Sequence, residues 1–431
     1  MRLLEQLRQQ DQQRPLLWVA GQPLSVAELI NQAEALRQRW PQLRGARVAL
    51  ARSEPLQQLL ALLATDGWAA ELLLLAPDLL AQPELWRPHS DWLWQDDAPQ
   101  LLAAPHAAAA PADGSGWILF TSGTTGTPKA VRYDLARLAA AISPLPDGKA
   151  PLRWALMYDL NRFAGVQLLL QCLLGGNQLA LPAATSFDAQ WQSARDAGVT
   201  AISATPSCWR RLLMDERLNQ LPLRQLTLGG EAADQGLLNR LRQQFPSARI
   251  CHIYASTEAG VGFAVHDGLA GFPSSWLAGD GPLPLRVDEA GMLWVKSPRA
   301  GSNAQLAARQ IDGWLPTDDE VVLSGERVLF AGRVGGVINV GGSKIRPEAV
   351  EAVIRELPWV VDVQVAGKAS PLLGQLVEAK VLAPGAPAEA KSQLLAHCRS
   401  RLPTHGVPAL VRFVDSLALT ATGKLKRTGE R

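Results

Sequence analysis

The residues of this sequence best suited to chemistry lie together at positions 121–129, Thr-Ser-Gly-Thr-Thr-Gly-Thr-Pro-Lys. Thr121, Ser122, Thr124 and Thr125 supply hydroxyls, Gly123 and Gly126 let backbone N–H groups turn toward a ligand, and Lys129 adds a cation behind them. Donors and positive charge in that order suit a chain of phosphates. The loop is not a P-loop, which needs Ser or Thr directly after Gly-Lys; here Pro128 precedes the lysine and Ala130 follows it. A second turn, Gly229-Gly230-Glu231, would let backbone approach a flat ring, although such a tripeptide alone is more often a plain tight turn. The six histidines, at 89, 106, 252, 266, 397 and 405, show no HxH or HExxH spacing, which argues against a zinc site.

The loop must be held by the strand that runs into it, predicted over 117–120. Further short strands are predicted at 47–50, 71–75, 201–204, 225–228 and 249–254, several of them ending in polar or Gly-rich segments. Helical spacing over 56–63 separates the first two, the alternation that builds parallel βαβ units. Ligands gather at the carboxyl ends of such strands. Ser25 and Glu28 form a capping box before a helix over 26–39. Residues 98–116, rich in Ala, Pro and Gly, read as a surface connection. Beyond Gly335 a compact unit is expected: helices near 347–356 and 388–400 and strands near 360–366, 374–382 and 409–415. The fold class is therefore α/β, with a large N-terminal domain of layered sheets and helices over 1–334 and a small α+β domain over 335–431, which the resemblance given below implies is mobile.

At 431 residues the chain can bury a large core and should hold two or three domains. Hydrophobic residues make up 47% and charged residues 19%, so disorder is excluded. With 42 basic against 40 acidic residues, scattered rather than clustered, no nucleic-acid partner is expected. The most apolar stretch, 67–76, contains Glu71 and falls short of the roughly 20 residues of a membrane span. Cys172, Cys208, Cys251 and Cys398 form no CxxC pair and read as reduced core thiols. Together with the absence of an apolar signal core at the N-terminus, this leads us to expect a cytoplasmic protein.

Six segments in order, FTSGTTGTPKAV around the loop, GGEAA at 229–233, YASTE at 254–258, GWLPTDDEVVL at 313–323, GRVGGVINVGGSKIRPEAVE at 332–351 and LTATGKLKR at 419–427, resemble the adenylate-forming superfamily. That superfamily contains acyl- and aryl-CoA ligases, adenylation domains of peptide synthetases and luciferases. The resemblance implies that ATP and Mg²⁺ are used to convert a carboxylic acid to an acyl-adenylate, and that the acyl group then passes to a thiol. Coenzyme A is the expected acceptor, with carrier-protein phosphopantetheine as the alternative.

By the same resemblance Tyr254 packs on adenine, Thr257 holds the α-phosphate, Glu258 binds the metal, and Gly229, Gly230 and Glu231 surround adenine and the acyl group. Asp319 accepts from the ribose hydroxyls, Arg333 reaches the nucleotide before the hinge at Gly335, and Lys424 is the mobile catalytic cation. Its chemistry suits that role, because two anions meet when a carboxylate attacks the α-phosphorus. Gly341 and Gly342 would line a thiol channel. Arg162, Phe163, Gly165, Ser203, Pro206, Gly260 and Val261 are candidates for the acyl pocket. Three positions depart from the family pattern: Asp318 stands where Gly is usual, Gly335 where Asp or Lys is usual, and Arg162 or Asn161 where a His is usual. The hydroxyl loop also begins early in the chain, which favours a small acid, aryl or short acyl, over a long one.

Overall fold

A computed structural model describes residues 1–102, 114–121, 127–371 and 373–418. The hydrophobic run Glu71–Leu74 pairs in parallel with Arg47–Leu50 on one side and Gly116–Phe120 on the other, and the helix Pro55–Thr65 links the first two. Their side chains are buried on both faces, as expected for strands at the centre of a layered sheet. This sheet has six strands, in the order 100–101, 92–94, 47–50, 71–74, 116–120 and 130–133. Only its two edge strands run antiparallel, so the central carboxyl ends point the same way. Residues 100–101, expected in a surface connection, form one of those edges.

A second sheet of eight strands runs 260–265, 249–256, 225–229, 201–204, 153–156, 178–181, 15–19 and 22–25. Its middle strands are also parallel. Helix Val26–Arg39 begins at the expected Ser25–Glu28 capping box. A five-stranded antiparallel sheet, built from residues 272–333, follows in the chain.

The last sheet joins 343–345, 338–340, 374–382 and 362–370, with Leu410–Val414 added in parallel to 374–382. Helices Pro347–Arg355 and Ala390–Arg401 cover it, and Val350, Ile354, Val363, Val365, Val377, Leu394 and Cys398 form a separate small core. Among the described residues no helix is long and apolar enough to cross a membrane, and the four cysteines are free and buried. Burial pushes the Cys208 thiol up to about 12 and Cys398 to about 11, so neither forms a thiolate at neutral pH.

Candidate active site

The hydroxyl loop joins Gly116–Phe120 to Ala130–Tyr133, an antiparallel pair in which Phe120 faces Ala130. Its neck is closed twice: Thr121 N–H donates to the Lys129 carbonyl at 3.0 Å, and Lys129 N–H donates to Thr121 Oγ1 at 3.1 Å. Thr121 is thus buried and fixed. Ser122, Gly123, Thr124, Thr125 and Gly126 lie outside the described residues, as does Lys424.

The segment 299–303 wedges the next part of the site against this hairpin. Gly301 N–H donates to the Glu258 carbonyl at 3.0 Å, and Arg132 and Ser302 exchange backbone bonds at 2.9 Å. A Cβ on Gly301 would lie 2.2 Å from Val131, so only glycine fits. Tyr133 Oη donates to the Thr257 carbonyl at 2.6 Å. Burial first, with the nearby Glu258 carboxylate adding to it, raises the Tyr133 pKa, so this phenol stays a donor. Gly260, at φ +74°, faces the Arg299 carbonyl so closely that a Cβ would come within 2.5 Å. These contacts bring Thr121, Lys129 and Glu258 around one shallow, open depression, which Asn303 and Arg309 also line. The last two escaped the sequence analysis because nothing in their local pattern marks them.

Beside it, Tyr254 Oη donates to Asp319 Oδ2 at 2.6 Å, and Arg333 Nε lies 2.9 Å from Asp319 Oδ1. Arg333 also donates to the Thr317 carbonyl at 3.1 Å. Burial and then the adjacent carboxylate hold the Tyr254 pKa well above the usual phenol range. The Tyr254 ring stacks between Phe263, at 5.0 Å, and Phe330, at 5.2 Å.

The acyl-pocket candidates separate. Tyr158, missed in the sequence, hydrogen-bonds Ser203 and sits 3.6 Å from where a Cβ on Gly229 would stand, at the carboxyl ends of three parallel strands. Gly230 takes a left-handed φ of +83°, and Glu231 accepts from Ser207 N–H at 3.0 Å, capping helix Pro206–Leu212. Arg162 pairs with Asp78 and is almost fully buried. Phe163 packs on Tyr133 at 5.9 Å. Gly165 serves packing: a Cβ there would lie 2.1 Å from the Asp159 carbonyl. Gly335 has φ +92° with open space around it. Gly341 and Gly342, also left-handed, bond within the C-terminal unit, to the Leu373 carbonyl and to Asn339 Oδ1.

Among the described residues no group of three His, Cys, Asp or Glu could enclose a metal. One carboxylate, Glu258, facing the depression instead fits a hard cation that keeps waters and shares phosphate oxygens.

The loop's two described ends, Thr121 and Lys129, thus share one depression with Glu258, close to a Tyr254–Asp319–Arg333 cluster. Residues 26–298 match the AMP-binding enzyme family and residues 349–424 its C-terminal domain. A 2-succinylbenzoate–CoA ligase from Bacillus velezensis is 30% identical over 338 residues, 73% of this chain and 68% of that relative. The structure of MenE from E. coli with bound OSB-AMS superposes with a TM-score of 0.77 at 24% identity, over 96% of this chain and 94% of that one. An amide bond synthetase from Marinactinospora thermotolerans does so with 0.75 at 21%, over 98% and 97%. The chain belongs to the AMP-binding enzyme family. Within it, the chain is an AMP-forming acid–thiol ligase of the adenylate-forming superfamily.

Proposed function

We propose that the protein activates a small aromatic carboxylic acid of the 2-succinylbenzoate kind with ATP and transfers the acyl group to coenzyme A. The observation that carries this is the convergence of Thr121, Lys129 and Glu258 on one depression, a few residues from the Tyr254–Asp319–Arg333 cluster. Asp319 and Arg333 would receive the ribose, and Gly229, Gly230 and Glu231 the base and acyl edges. The hydroxyl loop, with Ser122, Gly123, Thr124, Thr125 and Gly126, would receive the phosphates. Glu258 and the Thr257 hydroxyl would hold Mg²⁺, which neutralises phosphate charge.

In the first step the acid's carboxylate oxygen attacks the α-phosphorus and pyrophosphate leaves. Lys424 would stand between these two anions and stabilise the charge that builds on the phosphoryl oxygens. In the second step the thiol sulfur attacks the acyl carbonyl and AMP leaves. We assign residues 1–334 to the body that binds nucleotide and acid, and 335–431 to the smaller body. Gly335 is the joint between them, and Gly341 and Gly342 flank the incoming thiol. Ser203 and Tyr158 would meet the acid, and the buried Arg162 would have to exchange its partner Asp78 to receive a second carboxylate. The family relatives named as CoA ligases support coenzyme A over a carrier protein. Free buried thiols and the lack of a membrane-crossing helix among the described residues support a cytoplasmic setting.

The test is acid-dependent exchange of pyrophosphate into ATP with 2-succinylbenzoate, substituted benzoates and short aliphatic acids, followed by thioester formation with coenzyme A. Exchange with an aromatic acid and thioester with free coenzyme A are expected. Absence of exchange with every acid would overturn the reading.

A further inference from the structure

We infer that Arg309 binds the β- and γ-phosphates of ATP in the depression at the hydroxyl loop, and that Asp318 sets it in place. The inference rests on the ATP reading above and concerns which chain atoms meet the triphosphate.

Arg309 closes the short helix Ala304–Arg309, which is strapped to the hydroxyl loop at its other end. Asn303 Nδ2 donates to the Ala130 carbonyl at 2.7 Å, while Asn303 Oδ1 accepts from Leu306 N–H at 2.7 Å. The helix therefore moves with the strand that leaves the loop, and its last residue lines the same depression as Thr121, Lys129 and Glu258. Its lining holds two cations, Lys129 and Arg309, and one carboxylate, Glu258, while the Asp318 carboxylate pairs with Arg309 from outside the lining. A triphosphate carries about four negative charges, more than one metal ion and one lysine balance, so a second side-chain cation has a partner there.

The geometry of Asp318 supports the assignment. Its φ of +61° is left-handed, a conformation that strains a residue with a Cβ and that glycine adopts freely. What the aspartate adds is its carboxylate, which accepts from Arg309 Nη2 at 2.7 Å, and the same Nη2 lies 3.3 Å from the Pro316 carbonyl. Among the described residues Arg309 Nε and Nη1 have no protein partner, so two donors remain for phosphate oxygens. The Arg309 side chain is a third exposed and lines the open depression, so a ligand can reach it there. Strain is thus accepted at Asp318 in exchange for a fixed arginine at the phosphate end of the site. Asp318 is a positioning residue; Arg309 touches the ligand.

Calorimetric titration of the full chain with Mg²⁺·ATP and, separately, with AMP tests this without any acid. Arg309→Ala should weaken ATP about 10- to 100-fold and leave AMP within about twofold, because AMP has no β- or γ-phosphate; Arg309→Lys should recover part of the loss. Asp318→Gly should keep or raise the thermal midpoint yet weaken ATP several-fold, a pairing of signs that a purely structural role does not produce. Equal loss of ATP and AMP in Arg309→Ala, or no loss of either, would overturn the assignment to phosphate. Wild-type ATP affinity in Asp318→Gly would overturn the positioning role. Failure of the acid panel in wild type would strike the proposed reaction but leave this binding comparison intact.

Discussion

Arg210 and Asp362 offer the sharpest test of how the C-terminal sheet is held to the rest of the chain. Arg210, on helix Pro206–Leu212, pairs with Asp234 and lies 3.8 Å from Asp362, the first residue of strand Asp362–Ser370. Asp362 is held 2.9 Å from Arg355 Nε, and Arg355 reaches Glu351 at 3.4 Å. Burial pushes the Asp234 carboxyl up, but Arg210 and Arg355 outweigh it and the net shift is downward. Burial pulls Arg355 down, but Asp362, Glu351 and Asp234 together leave it raised. Two unit charges 3.8 Å apart attract by about 4 kcal/mol at an effective dielectric constant near 20. Desolvation offsets much of this for side chains only 8% and 5% exposed, which leaves a coupling of about 1–3 kcal/mol. A double-mutant cycle of Arg210→Met and Asp362→Asn, read by native-state hydrogen exchange over residues 350–365, measures that coupling. Additivity within about 0.3 kcal/mol would refute the claim that this contact fastens the two parts.

The other predictions concern single sites. Lys424→Ala should slow acyl-adenylate formation by about a hundredfold or more and spare thioester formation from a pre-made acyl-adenylate, as measured by separate assays of the two steps; equal losses would contradict the role we give it. Tyr254→Phe removes the 2.6 Å bond to Asp319 and should raise the KM for ATP about 5- to 10-fold with the thermal midpoint nearly unchanged. Gly165→Ala forces a methyl group onto the Asp159 carbonyl and should destabilise by about 1–3 kcal/mol in chemical unfolding. Burial lowers the His252 pKa below 6.5 despite its 2.9 Å bond to the Leu269 carbonyl. The unfolded chain therefore takes up the proton first as pH falls. Stability should drop below about pH 6.5 and level off once the folded pKa is passed, and His252→Gln should flatten that part of a thermal-midpoint profile.

The parallel sheets were legible because their strands are short apolar runs ending in Gly or polar turns, and the observed Arg47–Leu50, Ala201–Ala204 and Gln225–Gly229 match expectation within a residue. The helices Pro347–Arg355 and Ala390–Arg401, expected near 347–356 and 388–400, agree within two residues. The five-stranded antiparallel sheet was not seen as a sheet. Its strands, such as Leu315–Ser324 with one buried residue after Leu315, carry mixed side chains, and their pairing depends on partners far along the chain. For the same reason the sequence shows Asp318 as a departure without its partner. Arg309 lies nine residues away, in a separate short helix, and only the fold sets the two side chains in contact.

The same sheet explains how the site is assembled from distant parts. Strands Leu315–Ser324 and Arg327–Arg333 are paired so that Asp319 faces Arg333 across the ladder, which puts the carboxylate beside Tyr254 and the guanidinium at the entrance to the C-terminal unit. One residue further, Glu320 pairs with Arg346, the N-cap of helix Pro347–Arg355. The register that aligns Asp319 with Arg333 therefore also fixes which residue of the hairpin meets the C-terminal helix. A slip of one residue would turn Asp319 away from Tyr254 and Glu320 away from Arg346 together, because alternate residues of a strand face opposite sides. The proposed nucleotide binding at the Tyr254–Asp319 cluster and attachment of the C-terminal unit thus depend on a single pairing, and a substitution that loosens this hairpin should weaken both.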